Sequence, residues 1–154
     1  MRHPSLTPLS QDHHHGLALA LRCRKQALGQ IRPAGLEGLR QRATEFRNFF
    51  TNHLLAHFRA EEEALFPDLR IEVPESQPII DQLIREHEQI RSTMPHLEGE
   101  FGLGKIIFDL GDLLERHIRK EERELFPLFE NHVGVREAEA AGEAIKKILD
   151  SAKP

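Results

Sequence analysis

The stretch His57-Phe58-Arg59-Ala60-Glu61-Glu62-Glu63-Ala64-Leu65-Phe66-Pro67 returns as His117-Ile118-Arg119-Lys120-Glu121-Glu122-Arg123-Glu124-Leu125-Phe126-Pro127. The shared pattern is H-x-R-x-E-E-x-x-L-F-P, displaced by 60 residues (117 − 57). Residues four apart on an α-helix lie one above the other on the same face. His57 with Glu61, and His117 with Glu121, therefore each present an imidazole and a carboxylate in one direction. That direction is apolar, because Phe50 lies seven residues before His57 and Leu110 seven before His117. Buried carboxylates are costly unless paired or bound to metal. Matching His–Glu pairs on the apolar stripes of two helices want a cation between them, whereas exposed i,i+4 pairs would not share the apolar phase.

Outward from this echo, the chain reads as helix throughout, with no sustained period-2 alternation. A first segment runs from about Leu9 to Gln30, with Leu17, Leu21 and Leu28 as its apolar residues, and ends at Arg32-Pro33-Ala34-Gly35. The second runs from about Leu36 to Phe66 and puts Phe46, Phe50, His53, His57 and Glu61 on one stripe. Pro67 to Pro78 reads as a loop, with Pro78 suited to start the third helix. That helix carries Ile80, Leu83, His87, Ile90, Met94 and Leu97, and Pro95 kinks or ends it. Gly99, Gly102 and Gly104 mark a turn, and the fourth helix follows to about Leu125 with Leu110, Leu114, His117 and Glu121 on its stripe. A weakly amphipathic fifth helix over about 135–151 is expected to pack outside the others. The predicted fold is all-α: an antiparallel up-down-up-down four-helix bundle with a short extra C-terminal helix, one domain with its core over about 9–130.

The other two long helices each supply a histidine. His87 lies among Leu83, Ile90 and Met94 and faces the core. His14 has Leu17 and Leu21 at +3 and +7, the phase that His87 has with Ile90 and Met94; His13, in phase with Leu6 and Leu9, is its rival. The candidate metal ligands are thus His14, His57, Glu61, His87, His117 and Glu121. Mixed imidazole and carboxylate donors suit iron, manganese or zinc rather than calcium or magnesium. His53, one turn before His57, reads as a core or boundary histidine, with a second role as a donor or proton shuttle beside the metals. Glu62 and Glu122 read as solvated or inter-helix ion pairs, and His3, His96 and His132 as surface residues.

The order H … HxxxE … H … HxxxE resembles the hemerythrin-like HHE cation-binding family. The likeness spans about residues 9–130, and the H-F-x-x-E-E-x-x-L-F-P block is its most diagnostic part. The resemblance implies a four-helix bundle holding two Fe ions joined by an oxo or hydroxo bridge, with the glutamates bridging and the histidines capping. The chain departs from the oxygen-carrying members in two places. Arg91 stands where they have a second histidine one turn after the helix-three ligand. Glu121 lies four residues after the last histidine, where they have an aspartate at five, the position of Glu122 here. The lost histidine favours sensing, redox or iron-handling roles over simple oxygen carriage.

Bulk properties exclude several classes. At 154 residues the chain is of single-domain size. A net charge of -4 and no face-long basic stripe give no reason to expect a nucleic-acid partner. No apolar run approaches the roughly 20 residues that span a bilayer, and no secretory signal is evident, so a cytoplasmic location is expected. One cysteine, Cys23, makes no internal disulfide and no cysteine-rich zinc site. There is no tyrosine, so no tyrosyl radical can form, and no glutamate has a histidine three residues later, as ferritin-type sites require. The expected function is a diiron protein that binds or senses oxygen, nitric oxide or iron, with zinc or manganese as other metals for the site. The expected partner is a diatomic ligand or peroxide. Alternatives are a diiron enzyme acting on peroxide, oxygen or nitric oxide, and a metal-free helical interaction module.

Overall fold

The computed structural model describes residues 1–153, which are mostly helical, with no strand among them. Five helices follow one another: α1 (Thr7–Ala27), α2 (residues 35–72), α3 (Gln77–Thr93), α4 (residues 103–132) and α5 (Val135–Ser151). Pro78 lies in the first turn of α3, and Pro95 falls in the 3₁₀ turn Met94–Glu98 that closes it. Gly102 starts α4 from a left-handed conformation with φ of 64°, which glycine adopts without a Cβ clash. None of these helices is long and apolar enough to cross a membrane.

Helix α2 does not stop at Pro67. It continues to Glu72, and the loop expected between Pro67 and Pro78 contracts to a short 3₁₀ turn, Pro74–Ser76. A proline inside an α-helix removes one N–H and crowds the carbonyl four residues back. In both copies of the echo a wider π-helical turn, Glu61–Leu65 in α2 and Glu121–Leu125 in α4, stands just before the Phe-Pro pair, and the helix passes through. Helix α4 likewise runs past the expected end at Leu125 to His132. A further π turn in α2, Phe50–Leu54, shifts the helical phase. It brings Leu54 inward and leaves His53 exposed, which corrects the placement of His53 on the buried stripe.

Helix α1 also has a different buried face from the expected one. Leu21 and Leu28 are exposed, and Leu6, Leu9, His13, Gly16, Ala20 and Cys23 are buried. Small residues let α1 lie close against α4: a Cβ on Gly111 would meet the Ala20 carbonyl at 2.8 Å and Cys23 Cβ at 2.9 Å. Burial pushes the Cys23 thiol up to about 12, so it is not a reactive thiolate.

The core has two apolar halves. One contains Phe46, Phe58, Ile90, Ile107, Leu110 and Leu114; the other contains Leu9, Phe66, Leu69, Leu83, Phe126 and Phe129. Helix α5 buries Ala138, Ala141 and Ile145 against the second half. Along each of α1 to α4 one histidine falls at the boundary between the halves, as His87 does between Leu83 and Ile90.

Candidate metal centre

Six polar side chains fill that boundary: His13, His57, Glu61, His87, His117 and Glu121, none more than 3% exposed. Five of the six sequence candidates are brought together. The sixth, His14, is exposed on the far side of α1, and His13 takes its place. The reason is the phase of α1: His13 shares the face of Leu6, Leu9, Gly16 and Ala20, whereas His14 follows the outward-facing Leu21 and Leu28.

The inward atoms converge. His57 Nε2 is 3.3 Å from Glu61 Oε2, and His87 Nε2 is 3.1 Å from Glu61 Oε1. His13 Nε2 is 3.0 Å and His117 Nε2 3.2 Å from Glu121 Oε1. Two groups of four result, His13–His57–Glu61–Glu121 and Glu61–His87–His117–Glu121, each with its ligand atoms within 4.8 Å of one another. Both carboxylates belong to both groups. The π turns place them there, since Glu61 and Glu121 each open one.

The outward ring nitrogens are all held by carboxylates. His13 Nδ1 donates to Glu122 (2.6 Å), His57 Nδ1 to Asp12 (3.1 Å), His87 Nδ1 to Glu62 (2.5 Å) and His117 Nδ1 to Glu86 (2.8 Å). A proton fixed on Nδ1 leaves the Nε2 lone pair free to face inward, as metal-bound histidines require. Spacing alone assigns Glu62 and Glu122 no role at the site and passes over Asp12 and Glu86. The signal for them is a doublet on every helix: Asp12-His13, Glu61-Glu62, Glu86-His87 and Glu121-Glu122. Adjacent residues point about 100° apart on a helix. One member of each doublet therefore faces inward while its neighbour reaches a histidine of another helix.

Several inward atoms have no hydrogen-bond partner: both oxygens of Glu61, Glu121 Oε2, and Nε2 of His87 and His117. Orphaned buried polar atoms are rare and each wants a cause. They lie within the two groups whose donor atoms stand within 4.8 Å of one another. Donors about 2.0–2.2 Å from one metal ion stand about 3–4 Å apart, which the 3.0–3.3 Å separations match. The residues therefore fit a bound cation.

Electrostatics agree with that. Burial, and then the neighbouring Glu121, pushes the Glu61 carboxyl up to about 8. Burial opposes the charged form of Glu121 too, but the charge of His117 and the hydrogen bond from His13 hold it well below the usual range. Burial would lower His117, yet attraction to the Glu121 carboxylate, with the Glu86 hydrogen bond behind, raises it to about 10. His13 is raised against its burial by Glu121 and Glu122. Without a metal the cluster holds protons where a cation's charge would sit.

A search of curated proteins and a search of solved structures each return no match. The family model for the hemerythrin HHE cation-binding domain matches residues 6–129, a stretch that contains all six clustered residues. With most of its length in that match and its buried His–Glu layer inside it, the chain belongs to the hemerythrin HHE cation-binding domain family.

Proposed function

We propose that this protein holds two iron ions, His13 and His57 on one and His87 and His117 on the other, with Glu61 and Glu121 shared, and binds or senses oxygen, nitric oxide or iron. The four helices that carry these residues are taken to run antiparallel, up-down-up-down. The observation that carries the reading is the pair of four-residue groups with two carboxylates in common. An iron pair would supply redox chemistry and open coordination positions for a small ligand. The chain's own contribution is to hold a proton on each outward Nδ1, through Asp12, Glu62, Glu86 and Glu122, so that each Nε2 would face an ion. The two apolar halves of the core keep the layer dry. Ultraviolet and visible spectroscopy of the iron-loaded protein tests the reading: a charge-transfer band that bleaches on reduction is expected, and a featureless spectrum with iron bound would oppose it.

One observation favours an enzymatic variant of the same centre. A cavity of about 640 Å³ is lined by Asp12, His53, Ala56 and Lys146 among others. His53 Nδ1 lies 3.9 Å from one Asp12 oxygen, and the other Asp12 oxygen holds His57. Asp12 and His53 thus stand between solvent and a ligand histidine, and one water bridging the 3.9 Å gap would complete a proton path along them. Turnover of peroxide, oxygen or nitric oxide at catalytic ratios would favour the enzyme; stoichiometric binding alone would favour the sensor.

A further inference from the structure

Two of the four outer carboxylates are themselves gripped by arginines, and the two grips are alike. Arg91 Nη2 donates to Glu62 Oε2 at 3.0 Å, the same oxygen that accepts from His87 Nδ1, while Arg91 Nη1 holds Glu88. The Arg91 guanidinium lies 5.5 Å over the Phe58 ring, and Phe58 stacks on His87 with centroids 3.8 Å apart. Arg2 makes the matching set from an unrelated part of the chain. Its Nη2 donates to Glu122 Oε1 at 3.0 Å and to the Glu122 carbonyl at 3.1 Å, and its Nη1 donates to Glu130 at 2.8 Å. The guanidinium lies 5.2 Å over Phe126, which stacks on His13 with centroids 5.4 Å apart. His3 adds a backbone N–H bond of 2.6 Å to Glu130, tying the segment before α1 to the end of α4. Asp12 and Glu86 pair with no arginine among the described residues.

His13 and His87 belong to different four-residue groups. Each group thus has one histidine braced on two sides, by a carboxylate with an arginine behind it and by a phenylalanine with the same arginine over it. A planar fork that holds a carboxylate while lying on an aromatic face is something arginine does and lysine does not. We propose that Arg2 and Arg91 are positioning residues of the metal centre, one for each ion, and that the N-terminal segment carrying Arg2 governs retention of one ion only. The inference rests on the two-ion reading above. It also accounts for Arg91, which sits beside the centre as the brace of the histidine that does ligate.

The test uses the full chain loaded anaerobically with ferrous iron and competed against a chelator, with Arg2→Met, Arg91→Met and Arg91→Lys beside the unaltered protein. Each methionine variant is expected to release one of its two ions on the order of 10- to 100-fold more readily, the usual cost of a lost supporting contact. Melting of the metal-free forms is measured beside it, because the arginine side chains are only 25% and 27% exposed and their ion pairs also support the fold; selective loss of one ion is what a merely structural role would not produce. Arg91→Lys should recover only part of the affinity. In a Glu62→Ala background, Arg91→Met should add little, the non-additivity of groups that act through one contact. Unchanged stepwise affinities would overturn the proposal, as would equal loss of both ions or an Arg91→Met effect of full size without Glu62. An unaltered chain that binds no metal would overturn the two-ion reading and this inference together; one that binds two ions, with variants that match it, overturns the inference alone.

Discussion

In the proposed two-ion centre, replacing Glu86 with alanine would isolate one ion of the pair. Glu86 accepts from His117 Nδ1 at 2.8 Å and from Gln82 at 3.1 Å, and its side chain is only 8% exposed. The truncation leaves the His117 Nδ1–H without its acceptor beneath α3, and the ring loses what fixes its tautomer and its tilt. A buried donor left without a partner costs about 1–3 kcal/mol. Supporting carboxylates behind metal-bound histidines are worth about 10- to 100-fold in affinity, or about 1.4–2.8 kcal/mol, so the two scales agree. Chelator-competition titration with stepwise analysis should show a loss of that size for the ion beside His87 and His117, and a much smaller one for the ion beside His13 and His57. Glu86→Gln keeps an acceptor but not the charge and should fall between. Stepwise affinities equal to those of the unaltered protein would refute the argument that the outer carboxylates aim the histidines.

The phase of α1 predicts that His13→Ala lowers bound metal while His14→Ala leaves metal content and melting temperature alone; elemental analysis with thermal melts reads both. Gly111→Ala should destabilise the fold by about 1–3 kcal/mol through overpacking, because the new methyl meets the Ala20 carbonyl at 2.8 Å, and denaturant titration would show otherwise if α1 can move aside. The metal-free protein should lose stability as pH rises. Glu61 and His117 both have folded-state values above their ordinary ones, about 8 and about 10, so their contribution is complete below about 4.5 and 6.5 and is lost as pH passes the raised values. Metal loading should flatten that slope, because ligand protons leave when the ion binds; chemical denaturation at pH 6 and pH 9, with and without iron, measures it, and a metal-free slope of opposite sign would contradict it.

Much of this is legible in the sequence. The echo of His57–Pro67 in His117–Pro127 places four of the six clustered residues, and His87 follows from its apolar neighbours. What escapes has identifiable causes. In α1 the large leucines Leu21 and Leu28 face outward, while glycine, alanine and cysteine make the close contact with α4. Residue size therefore points to the wrong face and to His14. In α2 the π turn at Phe50–Leu54 breaks the regular period, so periodicity sets His53 on a stripe it does not share. The π turns before Pro67 and Pro127 hide the true helix ends, because a proline ordinarily signals a stop. Asp12 and Glu86 escape since each bonds a histidine on another helix, His57 and His117, and only the acidic–histidine doublets Asp12-His13 and Glu86-His87 mark them in the sequence.

The central claim is a pair of cation positions built from six buried side chains. Its most direct test is the count of metal ions per chain after anaerobic loading with ferrous iron and removal of the excess. Two irons per chain, falling when His13 or His87 is replaced by alanine and restoring stability lost to a chelator, is the predicted result. No stoichiometric metal, with folding stability indifferent to chelation, would contradict it.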